Sequence, residues 1–433
     1  MSKFSVSIGC LLAATSVARA ADMAAGAAAQ PAAAQPPAWT LSVASEVRYY
    51  AWQSNRGSPT GIAPLAGGGR GAELYVPYAV ELVGKPSDDF KVELIGRGGY
   101  VWARQSTAGL AGEVSTTTDT VAAATVTYLG LTGVQPFMAL STNIATGKSA
   151  LFGTAANARM DPDLVELASF GEGTNIGPTL GFNLPLTNSL MATFSAGYTW
   201  RGRFQRENLL VEQSPFGQLP TTIDPGDDVT VTGSLNYGSG QFSSSLTGSV
   251  SRETITFQDG AALLRAGTRY LLTGSLSYAW PETWGITTLT ASGAHADKNE
   301  VKFLKLSTLV AEPIDTNSNV YRIGFQYLFA IGRFAVGPAA SYLIRDRNGY
   351  DATTLQFVPQ KQRTSAGLLA QFPAGKQVTF NTRIDHVWTR EDDNPAPGGQ
   401  KFSVLANALL PGSAVPVVSS TAWQAAVGVN VKF

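Results

Sequence analysis

Between Thr421 and Phe433 the chain alternates without a fault: Trp423, Ala425, Val427, Val429, Val431 and Phe433 share one face, and Gln424, Ala426, Gly428, Asn430 and Lys432 the other. A period of two belongs to a strand, whose successive side chains point to opposite sides. The pattern returns along the chain. Leu41, Val43, Val47 and Tyr49 oppose Ser42, Glu46, Arg48 and Tyr50, and Phe90, Val92, Leu94, Tyr100 and Trp102 oppose Lys91, Glu93 and Arg97. Tyr321, Ile323, Phe325, Tyr327 and Phe329 oppose Arg322 and Gln326; Val378, Phe380, Ile384 and Trp388 oppose Thr379, Asn381, Arg383 and Asp385. A soluble sandwich alternates too, but with a polar face rich in Lys and Glu, which are sparse here. Tyr and Trp gather near strand ends, where a membrane-spanning barrel carries its interfacial girdles. No apolar stretch approaches the roughly 18 residues of a transmembrane helix, so a helical membrane protein is excluded.

The connections alternate in length. Short turns fall at 84–89, 130–134, 186–189, 238–241, 281–284, 330–333 and 374–377. Longer loops fall near 53–70, 104–117, 144–175, 203–226, 254–267, 296–317, 346–360 and 389–420. This predicts an all-β fold over 39–433, a transmembrane antiparallel up-and-down β-barrel of about 16 strands, with short periplasmic turns and long extracellular loops. About fourteen strands result if the weak pair 268–280 and 284–295 is misread. About 16 strands enclose more room than side chains fill, so an aqueous channel is expected. Phe433 at the end of an alternating strand resembles the signature by which bacterial outer-membrane proteins are recognised for assembly. That resemblance implies a Gram-negative outer membrane, with lipid, lipopolysaccharide and the barrel-assembly machinery as partners.

The barrel segment is preceded by sequence of another kind. Lys3, an apolar run from Phe4 to Val17 and the small-x-small Ala18-Arg19-Ala20 predict a signal peptide over 1–20. Residues 21–38 are Ala/Pro-rich and read as a periplasmic leader. Cys10 is the only cysteine, so the mature chain has no disulfide and no thiolate chemistry. Without Lys3 and Arg19, 29 basic residues stand against 31 acidic ones, which gives nucleic acid no purchase.

Catalysis has little to stand on. His295 and His386 are the only histidines, and Asp385 next to His386 points to the opposite face, so no charge-supported base forms. The runs GGGRG at 67–71 and GRGG at 96–99 lack the context of a phosphate loop. Asp161 and Asp163 are one acidic pair, short of the roughly six to eight oxygens calcium takes. No cofactor is expected, and the chain is read as a non-enzyme.

The informative positions are those of inward parity: Arg48, Arg97, Arg201, Arg203, Arg322, Arg345, Arg363 and Arg383, with Glu46, Glu73, Glu81, Glu93 and Asp385. The loop at 144–175 holds Asp161, Asp163, Glu166 and Glu172 together with Leu164, Val165, Leu167 and Phe170, apolar residues suited to packing inside a barrel. Here the chain resembles the general porins, whose third loop folds inward with acidic residues opposite an arginine cluster. Phe170-Gly171-Glu172-Gly173 is similar to the glycine-rich tip of that loop. The resemblance implies passive diffusion of small solutes past a charged constriction, and it leaves open whether barrels form a homotrimer. A second reading is a dedicated transporter for hydrophobic or aromatic compounds. TNIATG at 142–147 is similar to a Pro-Thr-Gly strand-end motif of the phenol-pathway channels, with Ala145 in place of Pro, and the last loop carries the apolar run VLANALLP at 404–411. A third reading is an exporter of a polymer driven by a periplasmic partner, with the leader as docking tail.

Overall fold

The computed structural model describes residues 39–56, 66–107, 110–160, 165, 167–207, 220–281, 284–302, 308–352, 357–393 and 417–433. The signal peptide and leader expected over 1–38 lie outside these residues.

Among the described residues, nearly all regular secondary structure is strand. In order these are β1 (Trp39–Arg56), β2 (Ala66–Ser87), β3 (Phe90–Thr107), β4 (Leu110–Thr117), β5 (Thr120–Tyr128), β6 (Gln135–Ile144), β7 (Asn175–Pro185), β8 (Leu190–Arg201), β9 (Phe204–Glu207), β10 (Pro220–Asp224), β11 (Asp228–Ser239) and β12 (Phe242–Glu253). They continue as β13 (Thr256–Gln258), β14 (Ala261–Arg265), β15 (Arg269–Ala279), β16 (Ile286–Ala296), β17 (Glu300–Lys302), β18 (Leu309–Ala311), β19 (Val320–Ile331), β20 (Phe334–Arg345), β21 (Lys361–Pro373), β22 (Val378–Glu391) and β23 (Val418–Lys432). One 3-10 turn, Gly153–Ala158, interrupts them.

The long strands pair with their sequence neighbours, all antiparallel, and β1 pairs with β23 from Ser42↔Lys432 to Ser54↔Ser420. β4 and β5 lie end to end along β3, so they share one position and the closed barrel has 16. The pair that could have reduced the count is present as β15 and β16. Closure leaves no edge strand, which a span through lipid requires.

Parity decides which side meets lipid. Val80, Leu94, Leu180, Phe194, Leu272, Ile323, Leu368 and Val427 are exposed on the outer wall, a contiguous apolar surface far larger than a soluble monomer shows. Aromatic pairs mark both rims: Tyr198 and Trp200 at 5.0 Å on the long-loop side, Tyr278 and Trp280 at 4.8 Å on the short-turn side.

Three expected loops carry structure of their own. The segments 203–226, 254–267 and 296–317 hold β9, β10, β13, β14, β17 and β18, which form a second, six-stranded sheet. These hairpins rise from adjacent barrel positions at strand spacing, so each finds its neighbour's backbone (β10 with β13, β14 with β17) and its polar groups are satisfied above the rim. The expected loop at 104–117 is likewise strand, the top of β3 hairpinned onto β4.

Candidate functional site: the lumen and its inward loop

The third long loop leaves β6 at Ile144 and returns at Asn175, and it packs into the barrel. Leu151, Ala156, Ala158, Met160, Val165 and Phe170 are buried against the inward side chains Tyr50, Trp52, Tyr75, Val101, Ala103 and Val114. The wall residues Val101 and Ala103 have no exposed surface left. Burying a large apolar side chain contributes about 1.5–3 kcal/mol, so several of them hold the loop against β1–β4.

Its two ends are tied at a neck. Asp119, in the short break between β4 and β5, accepts the backbone N–H of Gly147 (2.9 Å) and of Glu172 (2.7 Å) and the side-chain amide of Asn143 (2.8 Å). The same amide nitrogen of Asn143 donates to the Gly173 carbonyl at 2.6 Å. The outgoing and returning chains touch here. A Cβ on Gly171 would lie 2.9 Å from the Gly147 carbonyl carbon, and one on Gly147 would overlap the Phe170 carbonyl. Only glycine allows that approach.

A buried ion pair fixes the middle of the loop. Arg159 bonds Glu207 of β9 through Nε and, at 3.2 Å, through Nη2; it also donates to the Ser149 carbonyl at 2.7 Å and lies over the Phe170 ring at 5.7 Å. Glu207 in turn accepts the Leu151 N–H at 2.9 Å. Burial pushes the Glu207 carboxyl up, but the Arg159 hydrogen bond and charge and the Leu151 amide outweigh it, so it stays below the usual carboxylate range. Glu172 behaves oppositely: burial dominates, Arg201 and Arg206 only partly offset it, and its carboxyl is raised. Gln105 donates to the Arg159 carbonyl at 2.7 Å, Trp52 Nε1 to Met160 Sδ at 3.1 Å, and the Leu167 N–H to Glu73 at 3.3 Å.

The inward arginines fall into sets. Arg48 pairs with Glu46 at 2.5 Å, Arg383 with Asp385 at 2.6 Å, and Arg201 with Glu253 at 3.1 Å. Arg269 joins the last set, 2.7 Å from Glu253 and 3.1 Å from Asp228. Arg345 lies 3.5 Å from Glu391, which also meets Lys361 at 3.0 Å. Arg363 stands over the Tyr50 ring at 5.6 Å. Arg97 occupies the inward register of β3, opposite Ala79 and Val121, and Arg322 that of β19, with its side chain exposed. Glu93 sits toward the short-turn end, 3.5 Å from Lys91. Arg203 departs from its expected place: β8 ends at Arg201, Gly202 turns the chain, and Arg203 is 74% exposed beside Asp224 at 2.8 Å. Parity has no meaning past the end of a strand. Phe170 and Glu172 are placed as above, whereas Asp161, Asp163 and Glu166 lie outside the described residues.

Opposite the packed loop the wall is of another kind. The inward positions of β11, β12, β15 and β16 are largely hydroxyls, among them Thr230, Thr232, Ser245, Thr247, Ser249, Thr273, Ser275 and Ser292. They are half-buried, so solvent reaches them, and neighbours bond across strands, as Ser245 with Ser275 at 2.7 Å. Asp119, Arg159, Glu207 and this hydroxyl wall were not singled out from sequence. The available signals were an Asp interrupting a threonine run (TTTDT) and an Arg amid apolar loop residues.

A closed barrel of 16 positions with an apolar belt, a charged interior and a loop packed in its lumen is a transmembrane β-barrel. No family model and no curated protein matches the chain. Solved structures do: OccK7 (OpdD) of Pseudomonas aeruginosa at 8% identity and TM-score 0.43, covering 92% of this chain and 99% of that one. OpdO of the same organism matches at 11% identity and TM-score 0.42, covering 91% and 97%, and an outer membrane channel from Pseudomonas putida F1 at 13% identity and TM-score 0.38, covering 62% and 93%. Likeness at this level carries nothing about solute or selectivity.

Proposed function

We propose that the chain is a water-filled channel for passive diffusion of small hydrophilic solutes, with the passage running between the inward loop and the hydroxyl wall. The observation that carries this reading is the asymmetry of the lumen. One side is filled by apolar loop residues packed dry against β1–β4; the other offers solvent-accessible Ser and Thr, groups that replace water for a passing polar solute. In this reading Arg201 and Arg322 supply positive charge to the passage, and Asp161, Asp163, Glu166 and Glu172 of the loop supply the negative half of a field across it.

The test is planar-bilayer recording of the refolded mature chain with a salt gradient. Steady ohmic steps support an open aqueous passage, and steps arriving in threes would mark a homotrimer. A barrel that inserts and conducts nothing overturns the reading. Arg322→Ala removes one inward positive charge and is expected to move the reversal potential toward cation preference; an unmoved potential counts against the field.

A further inference from the structure

On the outer wall, near the long-loop rim, five neighbouring strands place one outward row side by side: His386, Trp423, Ala51, Ala72 and Arg104. Strands lie about 4.8 Å apart, so Trp423 and Arg104 stand about 14 Å from each other with two methyl groups between them. The result is a groove with an alanine floor, a wall of Trp423 and His386 (ring centroids 4.7 Å) and an opposite wall of Arg104 over the Trp102 ring at 5.1 Å. Arg70 lies one row nearer the rim, and Tyr49 one row nearer the membrane centre. Tyr49, Ala51, Arg70, Ala72, Arg104 and Trp423 line one hollow, together with Glu113.

Its chemistry is two-sided. Arg70 and Arg104 are exposed, and neither makes an ion pair among the described residues. Among the described residues the carboxylate in the hollow is Glu113, which stands opposite Arg104 across β3 and β4 and accepts the Trp102 indole N–H at 2.8 Å. Aromatic residues at this height mark the interface of the extracellular leaflet. Exposed guanidinium groups above an apolar floor suit an anion that carries acyl chains, and guanidinium is the side chain best matched to phosphate oxygens. We propose that this groove docks the phosphorylated, acylated glycolipid of that leaflet, lipopolysaccharide, with a phosphate at Arg70 and Arg104 and an acyl chain over Ala51 and Ala72.

The experiment is native mass spectrometry of the full mature barrel in detergent, titrated with bisphosphorylated lipid A. The wild type is expected to retain one glycolipid, and Arg70→Gln with Arg104→Gln to weaken it by roughly tenfold per arginine. Ala51→Leu with Ala72→Leu keeps both charges, raises the floor and is expected to weaken binding as well. Arg252→Gln removes an exposed outward rim arginine on β12, elsewhere on the wall, and is expected to change nothing. The proposal is overturned if the double arginine variant binds as wild type does, if the Arg252 variant loses as much, or if the leucine variant loses nothing. Equal binding of dephosphorylated lipid A, or of phosphatidylglycerol, overturns it too.

Discussion

Glu207 and Glu172 are two carboxylates of one loop assembly whose environments push them apart. Glu207 is held below its ordinary range because Arg159 and the Leu151 amide outweigh its burial. A lowered carboxyl stabilises the fold above its unfolded-chain value, and that contribution is lost as pH falls through the lowered one. The clamp on the loop is therefore expected to loosen only as pH falls below the ordinary carboxylate range. Glu207→Gln leaves the Arg159 charge buried without its partner, a change worth about 3–5 kcal/mol; the measurable outcome is faster hydrogen exchange over 148–160 at neutral pH. Glu172 is raised, chiefly by burial, so its charged form carries a destabilising penalty that is lost as pH falls from the raised value to the ordinary one. Glu172→Gln is expected to slow exchange at the Gly147 and Glu172 amides at pH 7 and to have no effect below the ordinary carboxylate range. Faster exchange would reverse the assigned sign.

At the scale of elements, the neck is where the loop's position is decided. Asp119→Ala leaves the Gly147 and Glu172 amides and the Asn143 side chain without their shared acceptor, and hydrogen bonds to a charged group are worth about 1.5–3 kcal/mol each. Gly171→Val pushes a side chain into the Gly147 backbone. Both are expected to free the loop, seen as protease cleavage between 148 and 170 and as larger, noisier conductance steps; unchanged conductance would mean that the loop does not narrow the passage. Sequence discloses elements unequally, for a physical reason. β19 and β22 alternate over a dozen residues because lipid and water face them on opposite sides, and so their boundaries and inward residues are readable. β17 is Glu-Val-Lys and β9 is Phe-Gln-Arg-Glu, too short to show a period, and their pairing depends on which barrel strands stand beside them. The apolar loop residues suggested packing inside the barrel, but the neck did not show: Asp119 matters only because the fold brings Gly147 and Glu172 to it, residues 28 and 53 positions away.

For the whole molecule, integrity rests on every barrel position having two neighbours. Val429 of β23 pairs with Ser45 on one side and Phe380 on the other. Val429→Pro removes a backbone N–H from the ladder and leaves a partner carbonyl facing lipid, at about 2–7 kcal/mol. Such a barrel is expected not to close, which gel mobility with and without heating would report; a normal heat-modifiable band would contradict it.

The closure of β1 on β23 carries one more consequence. Leu41 and Phe433 exchange backbone bonds (Phe433 N–H to the Leu41 carbonyl at 2.8 Å, the reverse at 3.3 Å), much as residues at any other junction of the wall do. A ring of such junctions has no privileged starting point. A gene that joined Phe433 to Trp39 by a few residues and began instead at Val378, after the turn from Pro373, would encode the same cylinder read from a different place.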